Sequence, residues 1–184
     1  MKNNYFTYLR TRSIFGFLYR KFYLYPKLSS YLTGRSLDIG CGVGDFLYMN
    51  KNIVGVDINY DCVNYCKSKG LNVLLMDIDI LPFDDNSFDS IVLDNVIEHI
   101  EYPSNLISEI KRVLTPHGTL LIGVPCDKGY KFDPDHKIFY DVNSLQMLLT
   151  KDFLLKSHFY TPPFSFVFRK VFRQVALYAV FKLK

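Results

Sequence analysis

A chain of 184 residues, 49% hydrophobic and 22% charged, has the length of one domain and the composition of a packed globular protein, which excludes a disordered chain. It has no run of 18 uncharged apolar residues, and its start, MKNNYFTYLRTR, lacks the apolar stretch and cleavage site of a signal peptide, so a transmembrane helix is not expected and a cytoplasmic location is. The net charge of +4 conceals an asymmetry: residues 1–35 hold seven Lys or Arg and residues 164–184 five, both without an acid, while the middle is strongly acidic.

Residues 1–35 read as a basic, aromatic helical segment. Ser36–Asn50, SLDIGCGVGDFLYMN, then joins a short apolar strand (Leu37, Ile39) to glycines at every second position, Gly40, Gly42 and Gly44. Such glycines allow a tight turn and close approach of a ligand. A dinucleotide fingerprint would need a third glycine where Asp45 stands, so NAD and FAD are disfavoured. Asp38, at the strand end, suits a cationic amine better than a phosphate. Asp45–Lys51 is expected to be the first helix of a βαβ unit, and Ile53–Ile58 the second strand, closed by Asp57. Asn59 is expected to cap a helix running to about Lys69, with Gly70 as its stop. The cysteines Cys41, Cys62, Cys66 and Cys126 form no C-x-x-C pair, which points to reduced thiols rather than a metal cluster.

Val73–Met76 is the expected third strand, ending at Asp77, and Ser90–Leu93 the fourth, bounded by Asp94 and preceded by the loop LPFDDNSFD. Ser104 is expected to cap a helix whose face is Leu106, Ile107, Ile110, Val113 and Leu114, broken at Thr115-Pro116-His117-Gly118. Thr119–Val124 is the fifth strand; a helix near Ser144–Thr150 and a strand near Phe153–Tyr160 follow, and VALYAVFKLK reads as a last strand or the end of an amphipathic helix, with the strand favoured. Alternating strands and helices imply a mostly parallel sheet with helices on both faces. Asp38, Asp57, Asp77 and Asp94 would then line the carboxyl ends of the first four strands, where such sheets bind ligands.

Leu37–Gly44, the acid Asp57 and the stretch LPFDDNSFDSIVLDNVIEHI together resemble the class I S-adenosylmethionine-dependent methyltransferases, over about Leu37–Val124. The resemblance implies a Rossmann-like, doubly wound sheet of seven strands in the order 3-2-1-4-5-7-6, the last antiparallel. It divides the single domain into the segment 1–35, a cofactor-binding core 36–124 and an acceptor side 125–184. It implies S-adenosylmethionine as cofactor, S-adenosylhomocysteine as product, and cofactor contacts from Asp38, Gly40, Cys41, Gly42 and Gly44. Asp57 would take the ribose hydroxyls with Ile58 on the adenine face, and Asp77 with Ile78 the adenine amino group. Phe83 and Phe88 would seal the adenine end, and Asp94-Asn95 would face the methionine part.

Methyl transfer from a sulfonium needs in-line positioning and at most one base. His136, in KFDPDHKIFYD, and His99, just after the fourth strand, are the candidate catalytic residues, with Glu98 behind them. Some members of the family hold a divalent metal through an E-x-x-E-H motif and a later histidine. The corresponding residues are Asn95, Glu98, His99 and His136, and because Asn95 replaces a carboxylate no metal is expected. The basic aromatic ends and the His136–Tyr140 loop resemble bacterial sugar and cell-envelope methyltransferases, which implies a small-molecule or glycan acceptor. The ends would suit peripheral contact with an anionic membrane surface, unless Phe15, Leu18, Phe22 and Leu28 pack on the core. RNA is the alternative acceptor; against it, Asp94-Asn95-Val96-Ile97 stands where a base methyltransferase would carry N-P-P-[YF]. A non-catalytic partner subunit is opposed by the complete glycine and acidic motifs.

Overall fold

A computed structural model describes residues 6–7, 9, 14–50, 52–163 and 175–184; Lys2, Arg10, Arg12 and the basic stretch 164–174 lie outside the described residues. Strands β1 (Ser36–Ile39), β2 (Ile53–Asp57), β3 (Val73–Leu75), β4 (Phe88–Asp94), β5 (Leu114–Pro125), β6 (Phe153–Thr161) and β7 (Ala176–Leu183) form one sheet. Its order is β3-β2-β1-β4-β5-β7-β6. The pairs from β3 to β5 are parallel, and β7 runs antiparallel to both β5 and β6.

Period-two alternation in the strands explains why both faces are covered. Leu37, Ile39, Ile91, Leu93, Leu120 and Ile122 point into one apolar cluster with Leu106, Ile110 and Val113 of α4 (Ser104–Val113). Val92, Leu121, Tyr178 and Val180 point the other way, into a cluster with Leu24, Tyr25 and Leu28 of the N-terminal segment. That segment comprises α1 (Ile14–Tyr19), a π-helical turn (Arg20–Leu24) and α2 (Tyr25–Ser29). Pro26 has no N–H for the Phe22 carbonyl, and the Tyr25 N–H bonds Arg20 O five residues back, which widens the helix there. The segment divides sharply in burial: Leu28 is fully buried, whereas Phe15 and Phe22 are exposed.

The first crossover differs from expectation. Asp45–Lys51 does not form a helix; Leu47–Met49 is a single 3₁₀ turn and Asn50 is already extended, while Lys51 lies outside the described residues. After the glycine turn only eight residues remain before β2, fewer than a helical crossover between parallel strands requires. Tyr25 of α2 fills the space instead, its ring 5.1 Å from Phe46. The next crossover is the expected helix, α3 (Tyr60–Ser68), capped by Asn59 through the Asp61 and Cys62 N–H groups.

Ser104 begins α4 but makes no side-chain cap, since Pro103 occupies the N-cap. Leu114 lies in β5 rather than on the helix, and Thr115-Pro116-His117-Gly118 loops out within that strand. Phe88 pairs with Leu114 and Ser90 with Thr119 across an irregularity, and His117 adopts φ 60°. Further on, α5 (Asp127–Phe132) and α6 (Val142–Leu149) follow β5, the latter opened by a capping box between Asp141 and Ser144.

Arg112 of α4 pins the loop before β4. Its guanidinium donates to Phe83 O at 2.7 Å, Leu81 O at 3.0 Å, Asp85 Oδ1 at 2.9 Å and both oxygens of Glu109. Arg112→Ala is expected to lower stability by about 1–2 kcal/mol, because two loop carbonyls lose their donor, and the melting temperature by about 2–8 °C. Arg112→Lys should recover less than half of the loss in a thermal melt, since an ammonium cannot reproduce the fork.

Candidate functional site

The carboxyl ends of β1 and β2 build a turn that folds back on itself. Gly40 and Cys41 donate their N–H groups to Val56 O, at 2.8 and 3.0 Å, and Gly42 N–H donates to Asp57 Oδ2 at 2.7 Å. The other Asp57 oxygen accepts from Asn59 N–H at 2.8 Å, so one carboxylate joins the glycine turn to the start of α3. Burial raises the Asp57 carboxyl, while N–H bonds from Asn59, Gly42 and Ile58 hold it down. Asp38 is 4% exposed; burial, with the charges of Asp94 and Asp57, lifts its carboxyl well above the usual range. Two buried carboxylates at one end of the sheet, Asp38 and Asp57, fit a cationic ligand, which would restore their ionised forms. A sulfonium-ammonium compound of the kind implied by the resemblance meets that requirement.

Of the remaining expected contacts, Ile58 and Ile78 are exposed at the ends of β2 and β3. Asp77 lies two residues beyond β3 and accepts the Ile78 N–H at 2.8 Å. Cys41 has least to offer a ligand: its thiol is buried and hydrogen-bonded to Cys66, and its N–H and carbonyl serve Val56 and Gly44. Phe83 and Phe88 do not seal the adenine end. Phe88 is the first residue of β4, fully buried, with Phe83 edge-on at 4.7 Å and the Arg35 guanidinium over its ring. That places it at the amino end of the strand, about 20 Å from Asp94 at 3.3 Å per residue.

Asp94 Oδ1 accepts from Tyr178 OH at 2.7 Å and from Asn95 Nδ2 at 2.8 Å. Arg20 interacts electrostatically with Asp94 and Tyr178 and hydrogen-bonds Tyr25, and the Tyr19 hydroxyl pairs with Thr161 Oγ1. The N-terminal segment is therefore a wall of the site. Neither Tyr178 nor Arg20 was expected in it; the only sequence signal for Tyr178 is the alternation of VALYAVFKLK, which puts it on the Val92 side of the sheet.

A second cluster follows β4. A 3₁₀ turn, Ile97–His99, carries Glu98 into the interior; it is fully buried, and neither carboxylate oxygen has a hydrogen-bond partner among the described residues. Burial above all, with the charges of Asp94 and Asp133, pushes this carboxyl up to about 8. His136 Nε2 lies 3.9 Å from Glu98 Oε1. His136 Nδ1 is 2.7 Å from Tyr130 O; a carbonyl only accepts, so Nδ1 is the donor and Nε2 faces Glu98. The His99 and His136 rings are 4.6 Å apart, and burial, together with His136, holds His99 below the ordinary imidazole range. Lys137 and Ile138 N–H groups, bonded to Glu98 O at 2.7 and 3.1 Å, keep the His136 loop in place. The two candidate catalytic histidines, 37 positions apart in sequence, thus meet. Asn95 is engaged with Asp94.

Residues 37–122 match the model of a family described as a methyltransferase domain. An uncharacterized protein of Methanocaldococcus jannaschii is 36% identical over 91 residues, covering 50% of this chain and 44% of that protein. A bovine protein named probable tRNA methyltransferase 9B is 39% identical over 92 residues, covering 47% of this chain and 20% of its own length. The chain thus spans less than half of these relatives. In three dimensions it is similar to a Thermotoga maritima S-adenosylmethionine-dependent methyltransferase, described as a possible histamine N-methyltransferase, with a TM-score of 0.76 at 19% identity over the whole of both chains.

Proposed function

We propose that this chain carries a class I S-adenosylmethionine-dependent methyltransferase domain, a reading supported by the methyltransferase-domain family matched over residues 37–122, and that it methylates a hydroxyl of a small-molecule or glycan acceptor. The observation that supports this reading most is the convergence of buried Asp38 and Asp57 with the glycine turn and Asp94 at the carboxyl end of the sheet. In it, Asp38 meets the cofactor's ammonium group, the Gly40–Gly44 backbone borders its methionine part with Asp94 and Asn95, and Asp57 takes the ribose hydroxyls. Ile58, Asp77 and Ile78 border the adenine. The sulfonium would supply an activated methyl: the acceptor oxygen's electron pair would form the new C–O bond, the C–S pair would stay on sulfur, and the hydroxyl proton would pass to His99 or His136. The protein's part is to exclude water with the N-terminal wall and to act on the acceptor hydroxyl through His99 and His136.

A pH signature follows from Asp38. A cation beside it lowers a carboxyl that burial has raised, so binding should release a proton and tighten as pH rises between the bound and free values of that group. Calorimetry of S-adenosylhomocysteine in two buffers of different ionisation enthalpy measures this. A proton count of zero across that window would refute the pairing.

RNA is the second reading, supported by the name of the bovine relative and by exposed Phe15 and Phe22 with Lys21 over the Phe22 ring. The shared stretch covers only 47% of this chain, so that name speaks more to the methyl donor than to the acceptor. The same exposed residues suit peripheral contact with anionic lipid; no helix among the described residues is long and apolar enough to cross a membrane. Tritiated methyl donor, incubated with the protein and either a polar metabolite and glycan fraction or total RNA, separates the acceptors. Label in the former supports the proposal, label confined to RNA replaces it, and label in neither fits the non-catalytic subunit.

A further inference from the structure

Asp94, Gly123 and Tyr178 stand in line across three neighbouring strands: Asp94 of β4 pairs with Gly123 of β5, and Gly123 pairs with Tyr178 of β7. Strands about 4.8 Å apart put the two outer residues about 10 Å from each other, yet Tyr178 OH donates to Asp94 Oδ1 at 2.7 Å. The ring can span that distance only because the residue between them has no side chain. A Cβ added at Gly123 would lie 2.4 Å from Tyr178 Cε1 and 2.9 Å from Asp94 Oδ1. Gly123 is not among the glycines with positive φ, so its backbone does not require glycine. Glycine inside a strand marks a close approach of this kind.

The hydroxyl is delivered from a fixed ring. Tyr178 is fully buried and stacks on Phe159 at 5.3 Å, and Phe159 stacks on Tyr31 at 5.4 Å. The carboxylate is held from its other side by Asn95, whose Nδ2 donates to the same Oδ1 at 2.8 Å. Asn95 adopts φ 58°, a left-handed conformation that asparagine tolerates, and its N–H donates to Gly123 O at 2.9 Å. Both donors therefore converge on Oδ1. Among the described residues no hydrogen bond reaches Oδ2.

We propose that Tyr178 is a positioning residue for the cofactor: its hydroxyl, reaching over Gly123, occupies Oδ1 of Asp94 and keeps Oδ2 for the methionine part of S-adenosylmethionine. This rests on the reading that Asp94 borders that part of the cofactor. A carboxylate at the end of a strand has two nearly equivalent oxygens and a rotatable side chain. Two donors on one oxygen remove that freedom before the ligand arrives, so less ordering is left for binding to supply. Tyr178 touches no ligand itself; it acts through Asp94.

The test is a double-mutant cycle read by calorimetry of S-adenosylhomocysteine with the full chain. Tyr178→Phe keeps the ring and its stack on Phe159 and removes only the hydroxyl, so its melting temperature should fall by no more than about 5 °C. Its affinity should nevertheless fall about five- to tenfold. Asp94→Ala should lose at least as much, and adding Tyr178→Phe to it should cost less than about twofold more, because the hydroxyl then has no carboxylate to aim. A merely structural tyrosine would give losses that multiply. Gly123→Ala retains the hydroxyl but forces ring and carboxylate apart, and should bind at least as weakly as Tyr178→Phe. Affinity within about twofold of the parent in Tyr178→Phe, or multiplying losses in the double variant, overturns the proposal. A flat isotherm with the folded parent would instead remove the cofactor reading on which it rests, so the two failures are told apart.

Discussion

Asp57→Ala is expected to reduce affinity for S-adenosylmethionine by about 100-fold or more, the largest effect of any single polar substitution in the site. The side chain does two things. It accepts Gly42 N–H at 2.7 Å and Asn59 N–H at 2.8 Å, holding the glycine turn against the start of α3. It is also the residue proposed to take the ribose hydroxyls. A hydrogen bond to a charged acceptor contributes about 1.5–3 kcal/mol, and about 2.7 kcal/mol is a factor of 100. Asp57→Asn, which keeps one acceptor oxygen, should fall between the two. Calorimetry gives the affinities and circular dichroism shows that the variant is folded. An Asp57→Ala protein binding within about threefold of the parent, on the scale where 1.4 kcal/mol is tenfold, would remove Asp57 from the site.

Gly40→Ala is expected to lower stability by about 2–4 kcal/mol and to abolish cofactor binding. Two separable costs add. The residue sits at φ 74°, where an L side chain costs about 1–2 kcal/mol. An added Cβ would also lie 2.5 Å from Val96 Cγ2, a clash that the packed turn relieves only by moving away from Val56 O. Gly70→Ala isolates the first cost, because Gly70 has φ 73° and nothing within 4 Å of an added Cβ. Val96→Ala in the Gly40→Ala background should recover part of the loss, the steric part alone. The expected drop in melting temperature is about 5–15 °C for Gly40→Ala and about 2–8 °C for Gly70→Ala. Equal drops for the two would show that the Val96 contact is irrelevant.

The sheet, the glycine turn, the Asn59 cap and the strand-end acids were legible because each is a local pattern. Short apolar runs mark the strands, and a few residues such as the glycines and Asn59 mark the turns and the cap. What failed was long-range. The loop LPFDDNSFD contains the aromatics of a cofactor motif, yet whether Phe88 sits at the amino or the carboxyl end depends on where β4 begins, at Phe88 itself. The missing first helix follows from a connection too short to hold one, with Tyr25 from the N-terminal segment taking its place against Phe46. Tyr178 meets Asp94 across 84 positions of sequence, and no periodicity encodes such a pair. The N-terminal segment read as a basic, aromatic helix that either meets a membrane surface or packs Phe15, Leu18, Phe22 and Leu28 on the core; of those four only Leu28 is buried, with Leu24 and Tyr25, while Phe15, Leu18 and Phe22 are exposed. Glu98 was legible as a residue beside His99; its burial without partners was not, since that depends on the 133–138 loop closing over it.

The central claim is that the carboxyl end of this sheet binds S-adenosylmethionine through the glycine turn and Asp57. Titration calorimetry of S-adenosylhomocysteine into the full chain tests it most directly, because no acceptor is needed. The account predicts a saturable, stoichiometric isotherm with a Kd below about 1 mM, lost in Asp57→Ala. A flat isotherm with the folded parent protein, or an isotherm unchanged by Asp57→Ala, would contradict it.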